Sequence, residues 1–163
     1  MTSRQGIISR VTAVAVFMAV LLLLIGGCAS KESELVLRSG KTGEVFARYP
    51  LSEGDQFTVT FIHSVNQKPY SDTYQIEQGK IYVEETRYAE FGAGVQTELN
   101  AGETLSTGKN GEIVVSNIHK EIPHLSYIVG TVSDHILTMG KKKVSLRDLC
   151  GRNANVVFTF ENK

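Results

Sequence analysis

His63, Glu85 and Arg87 are the side chains whose placement invites chemistry. Phe57, Val59, Phe61, His63 and Val65 fall on one face of an alternating stretch, with Thr58, Thr60, Ile62 and Ser64 on the other. An ionisable ring thus stands in line with apolar neighbours. Lys80–Tyr88 repeats the anomaly: Ile81 and Val83 share a face, and two further steps carry Glu85 and then Arg87 onto it. Burying a charge is costly unless it is paired and hydrogen-bonded, so inward polar side chains of neighbouring strands should meet. A carboxylate beside His63 would favour the imidazolium. With Ser64 beside His63, Tyr74 as a hydroxyl partner, and backbone amides near Gly92 and Gly94 after Phe91, the group reads as a pocket for a small anionic ligand. The same residues also read as an internal network that fixes strand register.

Catalysis and metal binding are less well served. His63 and Ser64 are adjacent, but neighbours on a strand face opposite ways, so the ring is not placed to activate that hydroxyl. No nucleophile elbow is visible. Enzymatic activity is not expected, and a hydrolase using His63 or Glu85 stands as a third alternative. His63, His119, His124 and His135 show no two-histidine spacing on one helix and no cysteine pairs, so no metal or other cofactor is expected. Phe91-Gly92-Ala93-Gly94 opens no helix and lacks a Lys-Ser/Thr ending, which sets it apart from a phosphate loop. Two glycines after an aromatic also fit a bulge or turn.

The elements that must position these residues are short and extended. Leu35–Leu37 and Glu44–Tyr49 read as a hairpin across Ser39–Gly43. Asn66–Pro69 is a turn after the central strand, and Tyr70, Asp72, Tyr74 and Ile76 share a face of the strand that follows. Gln78-Gly79 is a tight hairpin connection into Lys80–Tyr88. Gln96–Asn110 reads as a long loop, and Glu112–Ile118 as a strand opened by Asn110-Gly111. Leu125–Val132 and His135–Met139 are expected to pair across Ser133-Asp134. Lys141–Lys143 reads as a turn or exposed edge strand. Val144–Cys150 fits either a strand end or one helical turn capped by Ser145, and Asn155–Phe160 closes the chain as a strand. About nine short strands with turns between them imply an all-β antiparallel sandwich or partly open barrel.

Ahead of that domain, Arg4 and Arg10, the apolar run Val11–Ile25 and Gly26-Gly27-Cys28 are the parts of a secretory signal helix. Leu24-Ile25-Gly26-Gly27-Cys28 looks like a bacterial lipobox, so residues 1–27 are expected to be removed and Cys28 lipidated. An uncleaved anchor is the alternative, since the run approaches the span minimum of roughly 17 residues. Either way the remainder lies outside the cytoplasm: residues 28–33 as lipidated cysteine and tether, and 34–163 as one β domain. Residues 1–27 hold two arginines and no acid, so the balanced charge of the whole chain becomes about −2 without them, which argues against nucleic acid. Cys150 is then left without a partner and reads as a small buried apolar residue.

Phe61-Ile62-His63-Ser64-Val65, the following Pro69 and Tyr74, Glu85-Thr86-Arg87-Tyr88 and Phe91-Gly92-Ala93-Gly94 together resemble the bacterial domain-of-unknown-function family numbered eighteen-fifty. Its members are small exported proteins associated with TRAP transporters of the TAXI type, which pair an extracytoplasmic solute-binding protein with a fused permease. Where the family commonly has an acid after His-Ser-Val, this chain has Asn66. The resemblance implies an extracytoplasmic, membrane-anchored, non-enzymatic accessory or binding module whose partners are the membrane, a TRAP permease or solute-binding protein, and a small anionic solute. The alternative is a cell-envelope interaction domain with a purely structural polar cluster.

Overall fold

The computed structural model describes residues 33–65, 67–90 and 98–162. The expected signal helix, Cys28 and all but the last residue of the tether lie outside the described residues, as do Asn66, Phe91, Gly92 and Gly94. Among the described residues no helix is long and apolar enough to cross a membrane.

Alternation dominates and produces two antiparallel sheets that do not close into a barrel. The strands are β1 (Ser33–Ser39), β2 (Val45–Pro50), β3 (Gln56–Ile62), β4 (Pro69–Glu77), β5 (Lys80–Tyr88), β6 (Thr104–Thr107), β7 (Ile113–Glu121), β8 (Ser126–Ile128), β9 (His135–Met139), β10 (Lys142–Ser145) and β11 (Asn155–Asn162). One helical turn, α1 (Leu146–Cys150), precedes β11. The smaller sheet has the order β2-β1-β11-β8, and the larger β10-β9-β3-β4-β5-β7-β6. The expected sandwich is therefore present, with eleven strands among the described residues. The two beyond the expected nine are β6, which lies in the anticipated loop, and β10, the Lys-rich edge.

Leu35, Leu37 and Phe158 of the smaller sheet and Phe57, Val59, Ile76 and Leu137 of the larger one share the buried core. Each such side chain contributes about 1.5–3 kcal/mol relative to exposure. Phe57 joins the layers: its ring centroid is 5.1 Å from Tyr74 beside it and 6.0 Å from Phe158 across the gap. Lys142 lies 4.4 Å over the Tyr49 ring, tying edge strand β10 to edge strand β2.

Turn chemistry follows the residues. Gln78 and Gly79 both take positive φ, 51° and 73°, the conformation a two-residue hairpin with the right strand twist requires. Ser145 both ends β10 and caps α1, its Oγ accepting the Asp148 N–H at 3.0 Å, so Val144–Cys150 is strand and helical turn in succession.

Two pairings differ from expectation. β8 and β9 do not form a hairpin: β8 pairs with β11 in one sheet and β9 with β3 in the other, so residues 129–134 cross between the layers. The second difference is a β-bulge in β5. Thr73 faces Glu85 but the next residue, Tyr74, faces Val83, leaving Glu84 as an extra residue. Ile81 and Val83 point to the core before the bulge; after it the inward side belongs to Thr86 and Tyr88, opposite Asp72 and Tyr70. Glu85 and Arg87 are turned to the other face of the sheet, opposite Thr73 and Ser71.

A candidate binding cleft with an acid at its floor

Where β3 ends and β4 begins, the 129–134 crossover passes over the larger sheet and leaves a cleft of about 480 Å³. Phe61, His63, Tyr70, Asp72 and His135 line it, with Ile62 and Ile128 at its apolar sides and Ser64, Gly130 and Ser133 completing it. Strand register explains why these residues converge: Phe61 lies opposite Tyr70 in β4 and opposite His135 in β9, and Val59 opposite Asp72. The Ser133 hydroxyl donates to the Ile62 carbonyl at 3.2 Å and holds the crossover against the end of β3.

Asp72 is the residue that sequence reasoning passed over. Its Oδ1 accepts from Thr86 Oγ1 at 2.7 Å and its Oδ2 from the Tyr127 hydroxyl at 3.0 Å. Tyr74 and Tyr127 oxygens are 2.6 Å apart. Since the single Tyr127 proton goes to Asp72, Tyr74 donates to Tyr127, and its longer 3.4 Å approach to Asp72 is secondary. A chain therefore runs Tyr74 to Tyr127 to Asp72, with Thr86 arriving from the other side. It joins the sheets, because Tyr127 belongs to β8 and Asp72 to β4.

The electrostatics follow from burial. Desolvation pushes the Asp72 carboxyl above its usual range, against the opposing pull of hydrogen bonds from Thr86, Tyr127, Tyr74 and Tyr70. Tyr70 is pushed up to about 12 by burial and then by the nearby Asp72 carboxylate. Tyr74 and Tyr127 are raised for the same two reasons, so all three phenols remain protonated donors. Every partner of Asp72 is a hydroxyl; the carboxylate makes no ion pair among the described residues.

His135 is 8% exposed, and its Nδ1 accepts the Gly130 N–H at 3.2 Å. Burial lowers its pKa, so the ring is neutral with its proton on Nε2. Asp134 fixes the segment from behind. Its Oδ1 takes the backbone N–H groups of His135 at 2.7 Å and Arg147 at 3.0 Å, and its Oδ2 takes the Ser145 hydroxyl at 2.5 Å.

The residues expected at the site separate into two groups. His63 and Ser64 do line the cleft, but β3 stops at Ile62 and both sit in the following turn, closed by the His63 N–H to Lys68 carbonyl bond of 2.8 Å. His63 Nδ1 faces the Val65 backbone N–H at 3.4 Å, and its ring centroid is 6.3 Å from Tyr70. Tyr74 lies beneath, in the Asp72 network. Glu85 and Arg87 pair with each other at 2.6 Å on the opposite face, where Ser116 and Glu112 also reach them. The expected meeting of Glu85 with His63 is thus corrected by the bulge. Asp72 was on view in the shared face of Tyr70, Tyr74 and Ile76, an acid in an apolar row as conspicuous as His63.

A family model described as a domain of unknown function, DUF1850, matches residues 57–146, which hold every residue of the cleft. No curated protein and no solved structure matches the chain.

Proposed function

The chain belongs to the DUF1850 family, and from that premise we propose that it is an exported lipoprotein, held to the membrane through Cys28, that works as a non-enzymatic binding or accessory module. The lipobox-like Leu24–Cys28 supports the anchoring, and a lipid tether would raise the effective concentration of the domain beside a membrane partner. The partner we propose is the permease or solute-binding protein of a TAXI-type TRAP system. The observation that carries the binding reading is Asp72, a half-buried carboxylate with no counter-ion among the described residues, which opens onto a cleft of about 480 Å³. Pockets of roughly 300–1,000 Å³ with a few convergent polar groups are the usual form of small-molecule sites. A small anionic solute, the ligand expected with Arg87 turned inward, would find no arginine or lysine among the cleft residues.

The envelope-scaffold reading has its own support in the Tyr127–Asp72 bond, which staples the two sheets. Thermal shift of the purified chain against amino acids, amines and dicarboxylates, with and without the neighbouring solute-binding protein, separates the two. A shift that needs only a small molecule and disappears in Asp72→Asn is the expected outcome; a shift seen with the protein alone would favour the scaffold. Loss of membrane association in Cys28→Ser tests the anchor.

A further inference from the structure

We propose that the cleft takes an organic cation, a primary ammonium or guanidinium on a short apolar body, with its charged head against Asp72 and the surrounding rings. The inference rests on the binding reading above and names its ligand class. Four observations carry it. The first is the sign of the charge: among the described residues Asp72 is the acid of the cleft, and no lysine or arginine lines it. A carboxylate offers about four lone-pair sites; Thr86, Tyr127 and Tyr70 hydroxyls take three, and Tyr74, whose proton goes to Tyr127, only approaches the fourth. The second is the ring cluster. Phe61 stacks on His135 at 4.7 Å and lies 5.1 Å from Tyr70, and the His63 ring stands 6.3 Å beyond Tyr70. Aromatic faces beside an acid are the physical basis of ammonium recognition, since the ring quadrupole adds to the carboxylate's attraction.

The third observation is the rim. Ile62 and Ile128 line the mouth and are 37% and 56% exposed, an apolar track suited to the ligand's body rather than its head. The fourth weighs against the competitors. His135 is neutral and its Nδ1 is occupied by Gly130, so it supplies no positive charge for an anion. Among the described residues no group of three or more His, Cys, Asp or Glu side chains is arranged to hold a metal ion, which leaves an organic rather than a metallic cation.

The test compares probes of one shape and different charge. The full-length chain in nonionic detergent micelles is titrated by NMR with n-butylguanidinium, n-butylammonium, n-butanol and butanoate. The cations are expected to bind at least about tenfold more tightly than n-butanol, and Asp72→Asn is expected to erase that ratio. Ile128→Lys, at an exposed rim position that leaves the core untouched, should lower the same ratio by placing a like charge at the mouth. A capped arginine tripeptide binding as tightly as n-butylguanidinium would assign the same chemistry to a basic side chain of a protein partner. Equal binding of n-butanol, or tighter binding of butanoate, would overturn the cation assignment while leaving a binding module. Binding of none of the probes by a cooperatively folded protein would overturn both.

Discussion

Deleting Glu84 tests the bulge that decides which residues face the cleft. With Glu84 present, Val83 and Thr86 both lie on the inward side although three residues apart. Without it, plain alternation from Val83 keeps Thr86 and Tyr88 inward and Glu85 and Arg87 outward, whereas a straight β5 that retained Glu84 would reverse all four. Tyr88 is 2% exposed, and removing a buried aromatic from its packing costs about 3–5 kcal/mol. Asp72 would lose the Thr86 hydroxyl, about 1–3 kcal/mol for a buried acceptor left unsatisfied. Burying Glu85 and Arg87 away from Ser116 and Glu112 adds several kcal/mol more. Together these are on the order of 10 kcal/mol, comparable to the whole stability of a domain, about 5–15 kcal/mol. Slipping the register at Gln78-Gly79 instead would expose Ile81 and Val83, which are core residues, so it offers no escape. The straight form is thereby excluded for the parent, and the deletion, which reaches the same facing without a bulge, should still show a cooperative transition in urea unfolding followed by circular dichroism. Glu84→Ala, which keeps the extra residue and removes only the contact to His119, should unfold much as the parent does. A deletion variant with no cooperative transition would refute the register argument.

Three further outcomes are expected. Because the Asp72 carboxyl is raised in the folded state, its contribution to stability is greatest below its usual value of 3.8 and is lost as pH rises through the higher folded value; Asp72→Asn should therefore gain on the parent between about pH 4 and pH 7 in a thermal-melt series, and a gap independent of pH would contradict this. His119, raised by its bond to Glu84, stabilises fully below 6.5 and loses that effect as pH rises through its folded value, so the parent's advantage over His119→Gln should shrink from about pH 6 to pH 8. Burial pushes the Cys150 thiol up to about 11; iodoacetamide should label it at least about tenfold more slowly in the folded chain than in urea at pH 8, and equal rates would show that α1 does not protect it.

What could be read from the chain alone was what local chemistry decides. The alternation of Phe57, Val59 and Phe61 and the Gln78-Gly79 turn each act within a few residues and appear in the fold as expected, and the two readings of Val144–Cys150 resolve into strand followed by the Ser145-capped turn. What could not be read depends on distant partners. A bulge inserts one residue without altering composition, so Glu84 carries no mark that distinguishes it from Glu85; its reason lies in β7, where Asn117 and His119 take positive φ and His119 reaches Glu84. The crossing of residues 129–134 likewise depends on β8 finding β11 rather than β9. Leu125–Val132 is as suitable for one as for the other. β6 was missed because it is exposed throughout and shows no apolar alternation to read.

Asp72 is the point at which stability and use pull apart. An amide at this position would accept from one of Thr86 and Tyr127 through its oxygen, donate to the other's hydroxyl oxygen through its NH2, and avoid burying a carboxyl that burial destabilises. A residue whose only task was to join β4 to β8 would therefore be better as Asn, or as an apolar side chain matched by Phe at 127. The acid gains its advantage only when something positive meets it, and no described side chain does so. The same holds for the rings: Phe61 and Tyr70 would pack as well against an aliphatic residue as against His135, yet they stand beside the one acid among the described cleft residues. A half-buried charge that the fold hydrogen-bonds but that no described side chain neutralises, placed where the layers leave a gap, is better explained by a ligand than by the sandwich itself.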